Sequence, residues 1–442
     1  MQIWIINPFD QLPNETDVPL RYWTLCRVLA EQGHEVIWWS SDFSHLTKSK
    51  RQACPPTDGF TVRLIKTPPY AKNISLKRLK NHRVFACGFY REAVQRLQSG
   101  DLKAPDRIVL SLPPLGIAEK AFKLRDFINL SSANKAHHDC QVVVDIMDAW
   151  PETFYRALPG WLPQQIKKAL LYPLHRSAKR AYTHADKISA VGQTYLDLAE
   201  QYLHAQSASR SQRKKDFCEK SIPSEELGEM LPRHLCHHGT DLTRFEKIPT
   251  DTRPATTPGK AVYLGAMGNG YDLQTIIKVA QRWQVEGRFP WQLHFAGEGP
   301  LRNALESISA DLIKEERVIF HGYLGKEAIN KLLLTSDLAL VPNRPDSRVA
   351  CPYKAAEYAA AGLPMISCLK GELDQLLTQW NAGSEYKEGD ADSLYTAFQN
   401  YLTDSERLNQ HSRNARKMAE VLFDRNQTYA TLTKFMLHSS QY

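Results

Sequence analysis

Short runs of apolar residues alternate along the chain with longer stretches whose apolar positions recur every three or four residues. The first run, residues 4–6, reads as a buried strand, and the periodic stretch 20–32 after it reads as a helix. Gly33 supplies a left-handed cap for that helix, and residues 35–40 return as a strand. Further strands are predicted at 61–65, 108–111 and 142–146, with helices over 77–97 and 115–127. The rhythm restarts near Lys260. Strands are predicted at 261–264, 293–296, 318–320, 338–341 and 364–367, with an amphipathic helix over 273–283. Strands alternating with helices predict parallel sheets covered by helices, so the expected architecture is α/β with two doubly wound, Rossmann-like domains.

The expected boundaries are 1–240 for the first domain and 241–424 for the second, with a C-terminal helix over about 425–442 rejoining the first. Residues 205–233 are polar and poor in apolar periodicity, and read as a surface insertion. Prolines 249, 254 and 258 mark a linker within residues 238–258.

Composition narrows the class. The 442 residues are 43% hydrophobic and 24% charged, as in ordinary globular proteins. No apolar run approaches the roughly 18 residues of a membrane span, and the N-terminus lacks the marks of a targeting segment. Eight scattered cysteines without a C-x-x-C pair fit reduced thiols and no metal site, and a cytoplasmic protein is expected. The formal charge is +8, with basic clusters over 48–51, 77–83 and 167–187. They read as a solvated face, an anionic membrane surface or an anionic acceptor. No nucleic-acid module appears, so no nucleic-acid partner is expected.

Three segments carry candidate chemistry. Gly265-Ala266-Met267-Gly268-Asn269-Gly270 lies between a strand and a helix that Asp272 is expected to cap. Glycines there allow a tight turn and bring N–H groups near an anion. Gly297-Glu298-Gly299-Pro300 repeats the arrangement after the next strand, with Pro300 expected in the first turn of a helix. In the third segment, residues 351–364, Pro352 suits the first helical position and Gly362 the C-terminal cap. Lys354 and Glu357 share a helical face. They could grip a diphosphate and a ribose, or simply form an intrahelical ion pair.

This third segment resembles the signature of glycosyltransferase family 4, the retaining GT-B enzymes. Pro352, Lys354, Glu357, Tyr358, Ala360, Gly362 and Pro364 match it. Gly33-His34-Glu35-Val36, the stretch from His238 through Asp241 to Phe245, and Phe320-His321-Gly322 resemble further landmarks in the family's order. Two passages, Leu20-Arg21-Tyr22-Trp23 with Ser40 to His45, and Asp145 to Glu152, are similar to members that build surface polysaccharides. Two departures stand out. The family's earlier glutamate is read here as Ala350, and the basic pair after the glycine loop is missing between Asn269 and Asp272.

The resemblance implies a GT-B fold whose two domains face a cleft, and sugar transfer from a nucleotide-diphosphate sugar with retention. The acceptor is expected to be a saccharide or lipid-linked, at a peripheral position on the inner face of a membrane. It implies donor contacts from Gly265, Gly268, Asn269, Gly297, Tyr323, Leu324, Arg344, Lys354 and Glu357. Arg348 is an additional candidate for the phosphates. Asn14 and Arg21 are expected on the acceptor side, with Asp148 as the catalytic carboxylate or as the cap of the turn before Trp150-Pro151. Neither a cofactor nor a metal is implied, and Asp390-Ala391-Asp392 is read as a helix cap. A GT-B nucleotide-sugar epimerase and a non-catalytic scaffold of the same shape are the competing readings.

Overall fold

The computed structural model describes residues 1–73, 75–131, 139–215, 231–245 and 258–438, with backbone alone for 205–215. The chain divides into two compact units: Met1–Cys236 with Tyr429–Tyr442, and His237–Thr428. The divisions fall at 236/237 and 428/429, where 240/241 and 424/425 were expected.

Unit 1 is built on a seven-stranded parallel sheet. Its strands are β1 (Gln2–Ile6), β2 (Glu35–Ser41), β3 (Phe60–Ile65), β4 (Arg107–Leu112), β5 (Gln141–Ile146), β6 (Lys187–Ala190) and β7 (Arg233–Leu235), in the order β3-β2-β1-β4-β5-β6-β7. All of β1 and β4 is buried, which is why both read as mostly apolar runs: helices cover the two faces of a parallel sheet. Trp4, Trp38 and Trp39 are closed off from solvent; Trp4 and Trp39 form an aromatic cluster with Phe89, while Trp38 packs against Phe60. The first helix spans Arg21–Glu31 and ends with Gly33 at φ +82°. Tyr429, Leu432 and Met436, near the chain's end, join the core under β1 and β2.

Unit 2 holds β8 (Gly259–Leu264), β9 (Trp291–Ala296), β10 (Val318–Gly322), β11 (Leu338–Val341), β12 (Met365–Ser367) and β13 (Gly383–Glu385). They form a second parallel sheet in the order β10-β9-β8-β11-β12-β13. Its order reverses between β8 and β11, and that switch point lies beside the glycine turn after β8. Ligands of doubly wound sheets bind at such points.

Several local expectations change. The stretch from Ala205 begins as helix, because Gln193–Lys215 is a single helix; residues 216–230 of the expected insertion, and 246–257 of the expected linker, lie outside the described residues. Pro352 is the residue before its helix, Tyr353–Ala360, rather than the first within it. Pro300 precedes a helix that starts only at Arg302. Asp272 stands at the start of helix Leu273–Val285 without capping a backbone N–H; its carboxylate accepts from the Thr275 hydroxyl at 2.7 Å and from the Gly389 N–H at 2.8 Å. The buried carboxylate thereby ties β8's turn to the loop after β13. Asp390 does cap, accepting from the Ser393 N–H at 3.0 Å.

Candidate active site

On unit 2 the two glycine turns interlock. Gly265 and Gly297 adopt φ +138° and +139°, and a Cβ on Gly297 would run into the Gly265 carbonyl. A Cβ on Gly299 would collide with the Met267 backbone, whose N–H donates to the Glu298 carbonyl at 2.9 Å. Side chains are excluded at these positions because two backbones touch. Gly268 and Gly270, by contrast, face open space, and Asn269 is exposed.

Against this turn lies Lys354. Its Nζ would be 3.2 Å from a Cβ on Gly265. It rests 4.3 Å from the ring centre of Tyr263 and 4.6 Å from that of Tyr271. The ammonium is closed off from solvent and, among the described residues, has no hydrogen-bond partner. Aromatic faces attract a cation but supply no acceptor. Burial pushes its pKa down to about 7.

One turn along the helix, Glu357 receives Arg244 Nη1 at 3.3 Å, while Arg244 Nη2 donates to Asn330 at 2.8 Å. The expected alternative, an ion pair between Lys354 and Glu357, is not made: the carboxylate pairs with Arg244 instead. Burial raises the Glu357 carboxyl above its ordinary value, with Arg244 and Arg425 opposing it. Tyr358 anchors the helix to the sheet, its hydroxyl accepting from the Leu264 N–H at 2.7 Å. Gly362 ends the helix at φ +69°. Helix, glycine turn and switch point thus meet at one place: a buried cation, a carboxylate and backbone N–H groups.

The other donor-side candidates are placed differently. Tyr323 is 85% exposed after β10, with Leu324 packed behind it on the core. Arg344 is committed to Glu388. Arg348 stands exposed in a left-handed conformation. No carboxylate stands at Ala350, which is buried.

On unit 1, Arg21 corrects its expected acceptor-side place. It is 2% exposed and lies in the core, donating from Nε and Nη2 to Asp145 at 2.8 and 3.0 Å and from Nη1 to the Cys236 carbonyl at 3.1 Å. Asn14 is exposed and donates to the Ala53 carbonyl at 3.3 Å. Asp148 follows β5 and is partly exposed. It accepts from Trp150 Nε1 at 3.1 Å, so it shapes the turn while keeping an open side. Burial raises its carboxyl above the ordinary value.

Tyr263, Tyr271, Arg244 and Arg425 were not singled out from the sequence. Arg244 lies inside the landmark ending at Phe245, and only folding brings it to Glu357. Among the described residues no three His, Cys, Asp or Glu side chains gather as metal ligands, and no helix is long and apolar enough to cross a membrane.

Comparison with known proteins agrees with this geometry. Residues 244–418 match the family model of glycosyl transferases group 1. A search of curated proteins found no match to the chain. Among solved structures, sucrose-phosphate synthase from Thermosynechococcus elongatus is similar at TM-score 0.67 and 15% identity, covering 98% of this chain and 97% of that one. HepE from Anabaena, solved in complex with UDP and glucose, is similar at 0.61 and 12%, covering 98% of each. WaaG, a glycosyltransferase involved in lipopolysaccharide biosynthesis, is similar at 0.61 and 13%, covering 99% of this chain and 100% of that one. The chain therefore has the GT-B fold, and its second unit matches the glycosyl transferases group 1 family.

Proposed function

We propose that the protein is a retaining glycosyltransferase whose donor is a nucleotide-diphosphate sugar. The carrying observation is the unpartnered, buried Lys354 ammonium against the Gly265 turn, one helical turn from Glu357. A diphosphate supplies the acceptors that Lys354 lacks, and the N–H groups at the start of helix Tyr353–Ala360 add to the pull. Glu357, fixed from one side by Arg244, accepts from ribose hydroxyls. That HepE was solved with UDP and with UDP-glucose supports a donor of this class.

In the reaction an acceptor hydroxyl oxygen bonds to the sugar's anomeric carbon as the bond from that carbon to the phosphate oxygen breaks. The hydroxyl proton passes to the departing phosphate oxygen on the same face, which preserves the configuration. Electrostatic stabilisation of the leaving diphosphate by Lys354 and backbone N–H groups takes the place of a metal ion. Asp148 serves on the acceptor side.

The acceptor is a saccharide, free or lipid-linked, met at the inner face of a membrane. The helix Gln164–Thr183 and the turn before it favour a surface location, because Trp161 in the turn and Ile166, Leu170 and Tyr172 on the helix are 80%, 47%, 57% and 63% exposed beside Lys167, Lys168 and Arg176. Apolar groups that enter a headgroup boundary next to basic ones suit an anionic bilayer.

The test is incubation with a panel of nucleotide-diphosphate sugars and saccharide acceptors, with and without EDTA, read by proton NMR of the product's anomeric signal. Product of unchanged configuration, formed equally with EDTA, is expected. Donor epimerised without acceptor, inverted product, or activity abolished by EDTA and restored by manganese would each overturn the corresponding part of the reading.

A further inference from the structure

Beyond the carboxyl ends of β1, β2, β3 and β5, unit 1 gathers a cluster of aromatic and basic side chains that the donor chemistry does not use. Phe9 stands on the loop after β1, His45 and Lys48 after β2, and Tyr70 after β3. Arg78 and His82 come from helix Leu76–Ser99, and Asp148 and Trp150 follow β5. Tyr70, His82 and Trp150 are buried, while Phe9, His45, Lys48, Arg78 and Asp148 are partly exposed.

The contacts are specific. The Arg78 guanidinium lies 5.5 Å from the ring centre of Phe9 and 5.3 Å from that of Trp150. Its Nε donates to His82 at 3.3 Å and its Nη1 to the Asn73 carbonyl at 2.7 Å. Lys48 Nζ donates to the Asn73 side chain at 2.6 Å and sits 4.8 Å from the ring centre of Tyr70. The Tyr70 hydroxyl meets His45 Nδ1 at 2.5 Å. Both cations therefore hold the same residue, Asn73, and converge on one place.

What they lack is a counter-charge. Among the described residues, no carboxylate lies within ion-pair distance of Arg78 or Lys48. Arg51, close by, has Glu15 at 3.1 Å, and Lys50 has Asp42 at 2.6 Å. Asp148, the carboxylate that Arg78 feels, is engaged by Trp150. Burial keeps the imidazoles of His45 and His82 uncharged at neutral pH, so they neither add to nor cancel the two cations. Two partly desolvated cations held by neutral partners, with aromatic faces at their side, form a binding surface for an anion attached to a ring or chain.

We propose that this cluster binds a phosphate group of the acceptor, gripped by Arg78 and Lys48, with the attached sugar or chain lying against Phe9 and Trp150. A tetrahedral phosphate accepts from two directions at once, which matches a guanidinium from one element and an ammonium from another. The group next to it then lies at Asp148, where the reacting hydroxyl is needed. The assignment rests on the glycosyltransferase reading, but its test separates the two.

Calorimetry on the full chain uses two probes, glucose 6-phosphate and phosphatidylcholine vesicles carrying a small fraction of polyprenyl phosphate. Vesicles carrying phosphatidylglycerol control for surface charge. The background is Lys354→Met, so that phosphate does not read the donor side. Binding of either phosphate probe, weakened about tenfold or more by Arg78→Gln and also by Lys48→Gln at a partly exposed position, is the expected result. The probe that binds identifies a free or a lipid-borne acceptor. No binding of either probe, or binding unchanged by both variants, overturns the assignment. Nucleoside-diphosphate binding to the otherwise wild-type chain must persist in Arg78→Gln; its absence from the wild type itself would instead overturn the donor reading.

Discussion

Two buried cations, one in each unit, show how differently a fold can treat a charge. Arg21 of unit 1 spends its guanidinium on Asp145 and the Cys236 carbonyl. Asp145 in turn accepts from Tyr22 and Ser189, both at 2.7 Å. Burial alone would raise the Asp145 carboxyl; Arg21 and the two hydroxyls hold it below its ordinary value. Lys354 of unit 2 has two aromatic faces and, among the described residues, no acceptor. A saturated network locks strands β5, β6 and β7 to the first helix. An unsaturated ammonium costs stability in the free protein and is repaid only when an anion arrives.

This contrast predicts effects of different kind and size. Arg21→Met should be the most damaging to the fold, because it leaves Asp145 buried and unpaired. About 3–5 kcal/mol of unfolding free energy should be lost, measured by urea titration. Diphosphate affinity of the fraction that folds should be unchanged. Glu357→Gln should do the reverse: nucleoside-diphosphate binding weakens by about 1.5–3 kcal/mol while the thermal midpoint barely moves. Equal affinity in this variant would remove Glu357 from the site.

Lys354→Met sharpens the comparison. It should weaken diphosphate binding about tenfold, yet leave the free protein as stable as before or more so, since a buried unpaired charge is gone. A large loss of stability would show that the ammonium has a structural partner after all.

The smallest effect is in pH. With its pKa near 7, Lys354 is neutral in the free protein above that pH, and a bound diphosphate draws the proton back. Binding should therefore weaken as pH rises from about 7 to about 9. At about pH 8 it should take up a proton, seen as a dependence of calorimetric heat on buffer ionisation enthalpy. In the unfolded chain the lysine titrates near its ordinary 10.5, so the unfolded state binds more protons in between. The stability of the free wild type relative to Lys354→Met should accordingly rise with pH across that window. Both dependences vanish in Lys354→Met.

A separate measurement probes the surface helix. Co-sedimentation with anionic vesicles should fall with salt and on changing Lys167, Lys168, Arg176 and Lys179 to Gln. Equal recovery with neutral vesicles would remove the membrane from the account.

The same contrast explains what could be read from the sequence. Mostly apolar runs announced β1, β4, β5, β8, β9 and β11, because strands buried on both faces have few polar positions to show. The short strands β6, β7 and β13 escaped, being three or four residues long and carrying Lys187, Arg233 or Gly383. Lys354 and Glu357 were legible because one helical segment carries both. Their surroundings were not: Arg244 reaches Glu357 across 113 positions, and Tyr263 and Tyr271 meet Lys354 only when strand and helix pack. Arg21 was misread for the same reason. Its partner Asp145 is 124 positions away, and nothing local in the sequence shows that the charge is already spent.

The most direct test of the donor assignment is calorimetric titration of the wild type, Lys354→Met and Glu357→Gln with UDP, GDP and ADP. At least one nucleoside diphosphate should bind the wild type with one-to-one stoichiometry and bind both variants about tenfold or more weakly. No binding to the wild type, or equal binding to Lys354→Met, would contradict the account.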